Sequence, residues 1–483
     1  MKRKIFHAFL FGLMAVMFLS CVGKEEPNNT PEEITNNPEE PVNGPEEPTN
    51  GSEEPGNGTE EPTNTIPDNE IWYSTNNGDK IFSIDESLQA QNDFGAELIK
   101  HTYEGGLGKL FFDKAVTSIP ARLFSGVGLK SVTLPNTIKS IGEEAFKGAC
   151  CDTIVLPKAL ERIENKAFYF SEIKTIKIPD NVSFVGEAIL GNCFYLKSIE
   201  GKYSSTDGRC LVIDGVLNSF APGDLNEYVI PEGISIIGNE SMNGYFSKIT
   251  IPGSVKTIGK NAFNGYCLTS VSFSEGLEEI KEQAFVNLNA EEVTIPSSVR
   301  VIESGAFADP KGVKRFKGKF ATEDGQCLVV DGVLVAFACL GLDSYVTPEG
   351  IRVIGDRAVE NKSLKELTIS EGVEEIHYLV CNGLNKITLP QSLKKITATP
   401  YNFQIKSVHE IVFPAKLEQV PFPLSGNTNI YHLRPTVPPL MVHNIPGGNY
   451  RAGVKIYVPE ESLEAYKTAD YWKAYSNEIQ AEK

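Results

Sequence analysis

The residue types that carry most metal and nucleophilic chemistry are few in this 483-residue chain: nine cysteines and six histidines. Zinc sites need thiolates or imidazoles paired at short spacing, and the chain has neither C-x-x-C nor H-x-x-x-H. Cys150 or Cys151, Cys193, Cys267 and Cys381 each fall six to nine residues before a point where a strand ends. That regularity reads as a column of buried thiols, with metal ligation or disulfides as alternatives. Neighbouring Cys150 and Cys151 cannot bridge each other without strain. Cys210 and Cys327 lie 117 residues apart, and Cys339 has no counterpart. No G-x-S-x-G, phosphate-binding loop or G-x-G-x-x-G is present. Asp207–Gly208 with Asp214–Gly215, and Asp324–Gly325 with Asp331–Gly332, raise the option of calcium loops. Their Asp spacing of seven lacks the alternating ligands of an EF-hand, whereas Asp-Gly is a strong turn signal. Each insert therefore reads as a strand bounded by two turns. The pairs Glu278–Glu279 and Glu374–Glu375 fall on the turn side of the repeat, where charge faces water. Tyr471, Trp472 and Tyr475 could form a sugar platform, but near a C-terminal helix they read as a cover for the end of a core. These residues predict no catalytic site, no metal site and no cofactor.

The elements that would have to position any such chemistry begin after a long non-globular start. Lys2, Arg3 and Lys4 precede an apolar run from Ile5 to Leu19 that ends at "FLSC". The pattern predicts an export signal over residues 1–20, with Cys21 as a lipidated first mature residue. The formal net charge is −18, and fourteen acidic residues against one lysine lie between Lys24 and Glu70. There Glu-Glu recurs every seven residues, mostly inside "PEEPxNG", with no apolar seam. Such a segment cannot bury enough surface to fold, so residues 21–67 read as an extended acidic tether. Its length corresponds to roughly 35–40 Å as a flexible coil and up to about 140 Å as polyproline II. An acidic chain is a poor partner for nucleic acid.

Beyond the tether one phrase recurs. "SVTLPNTIKSIGEEAF" starts at Ser131, and "KITIPGSVKTIGKNAF" starts at Lys248. With Pro135 as origin, equivalent positions follow at 157, 179, 231, 252, 274, 296, 348, 370, 390 and 414, and Asp113 fits as one earlier unit. The usual step is 22 residues, and two steps of 52 mark inserts near 200–225 and 317–342. The inserts are copies, "GKYSSTDGRCLVIDGVLNSFA" and "GKFATEDGQCLVVDGVLVAFA", offset by 117 residues. Twelve units in three groups of four result. Apolar residues at −3 and −1 from the Pro, as at Ile249 and Ile251, flank an outward residue at −2. Further apolar positions at +3 and +6 and a closing Ala-Phe complete a coil whose interior only a neighbouring coil can fill. The twelve strands would form one parallel ladder some 55 Å long.

Units of the form L-x-x-I-x-I-P-x-x-V-x-x-I-G-x-x-A-F resemble the BspA-like leucine-rich repeats of Bacteroides-type surface lipoproteins. The resemblance covers residues 111–425. "NEIWYSTNNGDKIF" is similar to the N-terminal caps of such proteins, and "VKIYVPEESLEAYKTADYWKAYSNEIQA" to their strand-plus-helix C-terminal caps. The expected fold is a capped repeat solenoid: a parallel β-ladder with irregular turns and two β-hairpin-type inserts. Its caps would span 68–110 and 426–483.

With no reactive constellation, what remains for function is surface. The outward strand column contains Thr133, Val155, Lys177, Thr250, Ser272, Thr294, Thr368 and Thr388. Thr and Val suit any exposed strand, and they equally suit a flat binding face of mixed polarity. The resemblance implies a non-enzymatic, monomeric protein, lipid-anchored at the outer membrane and facing outward. It would bind host matrix proteins or other cells, with glycan capture as the alternative.

Overall fold

The computed structural model describes residues 66–81, 93–263, 267–338, 340–361, 363–398, 402–422, 424, 427–442 and 453–482. The export signal, Cys21 and the tether as far as residue 65 lie outside the described residues, as does Cys339.

Each coil is built as its period-two pattern requires. In the strand Lys248–Ile251, Ile249 and Ile251 are buried while Lys248 and Thr250 turn outward. The next strand, Ser270–Phe273, pairs with it in parallel, placing Ile249 beside Val271 and Thr250 beside Ser272. A second, shorter ladder forms where the coil turns back: Thr257–Ile258 pairs with Glu279–Ile280, and that pair with Val301–Ile302. The closing aromatics stack into spines. Phe124, Phe146 and Phe168 lie 5.3 and 5.4 Å apart, and Phe263, Phe285 and Phe307 lie 4.9 and 5.4 Å apart. Burying one such side chain contributes roughly 1.5–3 kcal/mol, which a lone coil cannot realise because its interior has only one wall. Coils approach so closely that a Cβ on Gly142 would lie 2.5 Å from the Ala121 backbone nitrogen, which explains the Gly after the turn Ile.

The molecule is a parallel β-solenoid of about 16 turns, more than the twelve the proline spacing marks. Each 52-residue step contains an extra rung. Ser198–Gly201 pairs in register with Thr175–Ile178, and Arg315–Gly318 with Glu292–Ile295. These rungs end in Gly rather than Pro. A Cβ on Gly201 or Gly318 would lie 2.1 Å from the carbonyl oxygen of Ile178 or Ile295. The ladder also continues past residue 425, from Glu410–Phe413 through Ile430–Leu433 and Lys455–Val458 to Ile479–Ala481. At the other end the unit at Asp113 is split. Its strand, Leu107–Phe112, belongs to an antiparallel cap sheet, and Glu70–Thr75 is wedged between it and Leu129–Thr133. Only its turn strand, Ser118–Ile119, joins the parallel stack.

The single long ladder is replaced by separate sheets, broken at each insert and also between some coils that have none, as between Ser270–Phe273 and Glu292–Ile295. Each insert is an antiparallel hairpin, Cys210–Ile213 with Val216–Phe220 and Cys327–Val330 with Val333–Phe337. The Asp-Gly pairs at its tip both have positive φ, 50° and 78° in the first hairpin and 48° and 76° in the second, as a two-residue hairpin turn demands. The second strand of each hairpin then starts the next short ladder, pairing with Ile236–Ile237 and with Val353–Ile354. Both faces of the hairpins are apolar. Leu211 packs into the core before the first hairpin, and Cys210, Leu217 and Phe220 into the core after it. Leu328, Val335 and Ala336 likewise serve the core before the second hairpin, and Cys327, Leu334 and Phe337 the core after it. The hairpins thus act as internal walls that divide the stack into three cores.

At the C-terminal end, Trp472 and Tyr475 are buried against Phe422, and the Trp472 indole donates to the Pro439 carbonyl at 2.8 Å. Tyr471 does not share this covering role and stays about half exposed.

Candidate functional site

The outward columns predicted from sequence are where the parallel strands place them. Thr133, Val155, Lys177, Thr250, Ser272, Thr294, Thr368 and Thr388 are all half-buried or exposed. Pairing sets Thr250 between Val229 and Ser272, and Thr368 between Val346 and Thr388. Lys177 stands opposite Glu200, and Thr294 opposite Lys317. Val155 lies outside the regular strands, beside the bridge from Thr153 to Thr175. These residues fall into segments instead of one row, with breaks at the hairpins and also between Ser272 and Thr294. Val229 and Val346, which open the segment after each hairpin, are 64% and 62% exposed and are the barest apolar residues of the column. Charges on the face are answered by neighbours: Lys248 pairs with Glu227, and Lys317 with Glu292 at 2.7 Å. Such exposed pairs contribute little to stability and leave the face close to neutral locally.

The caps extend this face with groups absent from the repeat columns. Trp72 stands in register with Thr133, donates its indole N–H to Glu70 at 2.6 Å, and carries Lys109 over its ring at 3.9 Å. At the far end Val412, His432 and Tyr457 continue the column. The His432 and Tyr457 rings stack at 5.0 Å, and the imidazole lies between Glu410 at 3.1 Å and Glu482 at 2.8 Å. The signal for them was the period-two alternation of "EIWYST", "IYHL" and "KIYV", which continues the outward column into both caps.

The residue types that might have carried chemistry are engaged elsewhere. Burial pushes the thiols of Cys193 and Cys210 up to about 11 and that of Cys151 up to about 12, so they stay protonated and are weak nucleophiles at neutral pH. None of the seven cysteines among the described residues forms a disulfide. Asp207 is saturated: its carboxylate accepts from Ser205 Oγ at 2.5 Å, the Arg209 N–H at 3.0 Å and Tyr228 OH at 2.8 Å. Burial alone would raise its pKa, but these hydrogen bonds hold it below the usual Asp value. Asp324 repeats the arrangement with Thr322 at 2.6 Å, the Gln326 N–H at 2.9 Å and Tyr345 at 2.8 Å. Carboxylates so fully engaged act as turn braces, and this removes the reason for a calcium loop at the Asp-Gly pairs. Among the described residues no group of three His, Cys, Asp or Glu side chains is placed to hold a metal ion. The arrangement can dock a surface, through hydroxyls, short apolar side chains and neutralised charges.

No curated protein matches the sequence. Solved structures with a similar fold include a leucine rich cell surface protein of Faecalibacterium prausnitzii, 16% identical, with 67% of this chain and 83% of that one covered at a TM-score of 0.40. The pneumococcal vaccine antigen PcpA is 20% identical, with 76% and 85% covered at 0.32. A leucine-rich repeat protein of Eubacterium ventriosum is 20% identical, with 63% and 78% covered at 0.34. At these TM-scores the likeness adds nothing to what the sequence family establishes. The pattern of the BspA type leucine rich repeat region matches residues 102–207, 217–317 and 335–434, in six copies, with the gaps falling over the first strand and tip of each hairpin. With well over half of its length matched, the chain belongs to the BspA-type leucine-rich repeat family.

Proposed function

We propose that this is a non-enzymatic surface protein whose solenoid binds macromolecules, foremost extracellular proteins of a host matrix or of other cells. The observation that carries the reading is the outward strand face. Its hydroxyl-rich and β-branched residues recur coil after coil on a rigid support and are bounded by Trp72 and Tyr457 at its ends. Weak contacts repeated along such a face, and across many copies on one cell, sum to strong attachment. Membership of the repeat family supports a binding role. Anchoring through a lipid on Cys21, at the outer membrane and facing outward on the acidic tether, completes the proposal. Cys21→Ala tests it by detergent phase partitioning: the variant should move to the aqueous phase, and retention in the detergent phase contradicts the anchor.

Binding is tested with immobilised extracellular-matrix proteins and a polysaccharide panel, using the purified chain and the variants Thr250→Arg, Thr294→Arg and Thr368→Arg. Stepwise loss on a matrix protein supports a distributed face, and undiminished binding by all three refutes it. The second reading, glycan capture, draws on Trp72 and the His432–Tyr457 stack, whose rings lie on the same face. Binding confined to polysaccharides and lost with Trp72→Ala would favour it.

A further inference from the structure

We infer a second docking surface on the turn flank at the first hairpin, shaped for a protein segment that presents apolar side chains beside Lys or Arg. It is independent of the strand-face reading. Tyr169, Phe170, Phe194 and Tyr245 form a chain of rings with centroids 4.9, 6.0 and 5.1 Å apart. Tyr245 is 49% exposed, and Tyr195, next to Phe194 in sequence, is 51% exposed. The fold does not need these rings. The residues 117 positions later in the sequence are Val286, Asn287, Lys311 and Lys362. The second hairpin and both its ladders are nevertheless built alike.

The floor of the patch is rigid. Tyr169 OH donates to Glu240 at 2.6 Å and accepts from Asn192 at 2.6 Å, and Glu240 also holds Lys166 at 2.7 Å. Clustered aromatics on a fixed support, rimmed by satisfied polar groups, are the usual make-up of a protein-binding hot spot. The rings meet at 84°, 64° and 33°, a ridged surface that suits inserted side chains better than the flat face of a sugar. The rim is acidic. Lys147 and Lys166 are answered by Glu144 and Glu240, while exposed Glu172 and Glu187 add negative charge. Glu172 sits one 22-residue step before Phe194. An apolar partner flanked by basic residues matches both features.

The test pans a random linear peptide display library on the purified full chain. Selected peptides should share apolar residues next to Lys or Arg, and should bind Phe194→Ala and Tyr245→Ala at least about tenfold more weakly than the parent while binding Lys311→Ala equally. Melting temperatures are read alongside. If either alanine variant melts early, Tyr245→Lys, which installs the residue the second junction tolerates, takes its place. Peptides without this consensus, peptides that bind the variants as well as the parent, or no enrichment at all overturn the inference. A printed glycan array that binds the parent and is lost in the same variants also overturns it, by assigning the rings to sugar.

Discussion

The two hairpin junctions are the same device with different exteriors. Inside, the braces match: Cys210 and Cys327 lie under Tyr228 and Tyr345, whose hydroxyls brace Asp207 and Asp324, although Asn218 and Ser219, bonded to the backbone of Gly186, Ile189 and Leu190, give way to Val335 and Ala336. Arg209 and Gln326, chemically different, donate to the matching carbonyls of Lys197 and Lys314. Outside, the first junction carries aromatic rings with a Lys166–Glu240 tie that spans from one core to the next. At the second, Lys311 pairs with Asp309, and Arg357 pairs with Glu360 at 3.4 Å. What the duplication preserved is the part that seals two cores from each other; what it let drift is the part that faces solvent. Divergence over a preserved frame marks where the exterior is free to take on a partner.

The comparison can be broken most forcefully through the walls. Phe220→Ala and Phe337→Ala each empty a fully walled site and should cost about 3–5 kcal/mol. The two losses in chemical denaturation should be similar; a loss at one junction only would deny the equivalence of the hairpins. Next in size is the tie peculiar to the first junction. Glu240→Ala strips a carboxylate from two donors and should cost about 1.5–3 kcal/mol. Arg357→Ala, which breaks a longer pair at 3.4 Å, should cost less than Glu240→Ala. Tyr228→Phe and Tyr345→Phe each remove one hydroxyl from a brace and should cost about 1 kcal/mol apiece, equally at both hairpins. The mildest test is acid. Asp207 and Asp324 have folded pKa values below the ordinary Asp value, so their contribution is complete above that value and is lost as pH falls through the lowered one. Amide protection factors, which remove the intrinsic pH dependence of exchange, should therefore fall at both hairpin loops together only at strongly acidic pH, and a fall near neutrality would contradict the braces.

Much of the fold was legible because the proline, the paired apolar positions and the Ile-Gly turn repeat at 22 residues. The extra rungs at Ser198–Gly201 and Arg315–Gly318 escaped notice because they end in Gly, forced by close approach to Ile178 and Ile295, so they lack the proline that marks the others. The hairpins' role as walls was written most plainly in "CLVVDGVLVAF", whose strands are apolar on both alternating faces, a pattern that fits an element buried from two sides. The strand at Asp113 was misplaced because the wedge of Glu70–Thr75 beside Leu129–Thr133 is a pairing across more than fifty residues that no local spacing encodes. The residues of the outward column face outward because alternation determines it, Val155 alone lying outside the regular strands. The aromatic flank was not, because Phe194 meets Tyr245 only after the first hairpin has folded between them.

The claim at the centre of this account is that the walls are architecture and the flanks are interchangeable exteriors. Its most direct test is a transplant: Phe170→Asn, Phe194→Lys and Tyr245→Lys together give the first junction three of the four flank residues of the second, leaving the Tyr169 floor in place. Hydrogen–deuterium exchange over Cys210–Phe220 should match the parent, with the peptide binding of the first flank abolished. Rapid exchange throughout the hairpin in the transplanted protein would contradict the account, because the rings would then be part of the core.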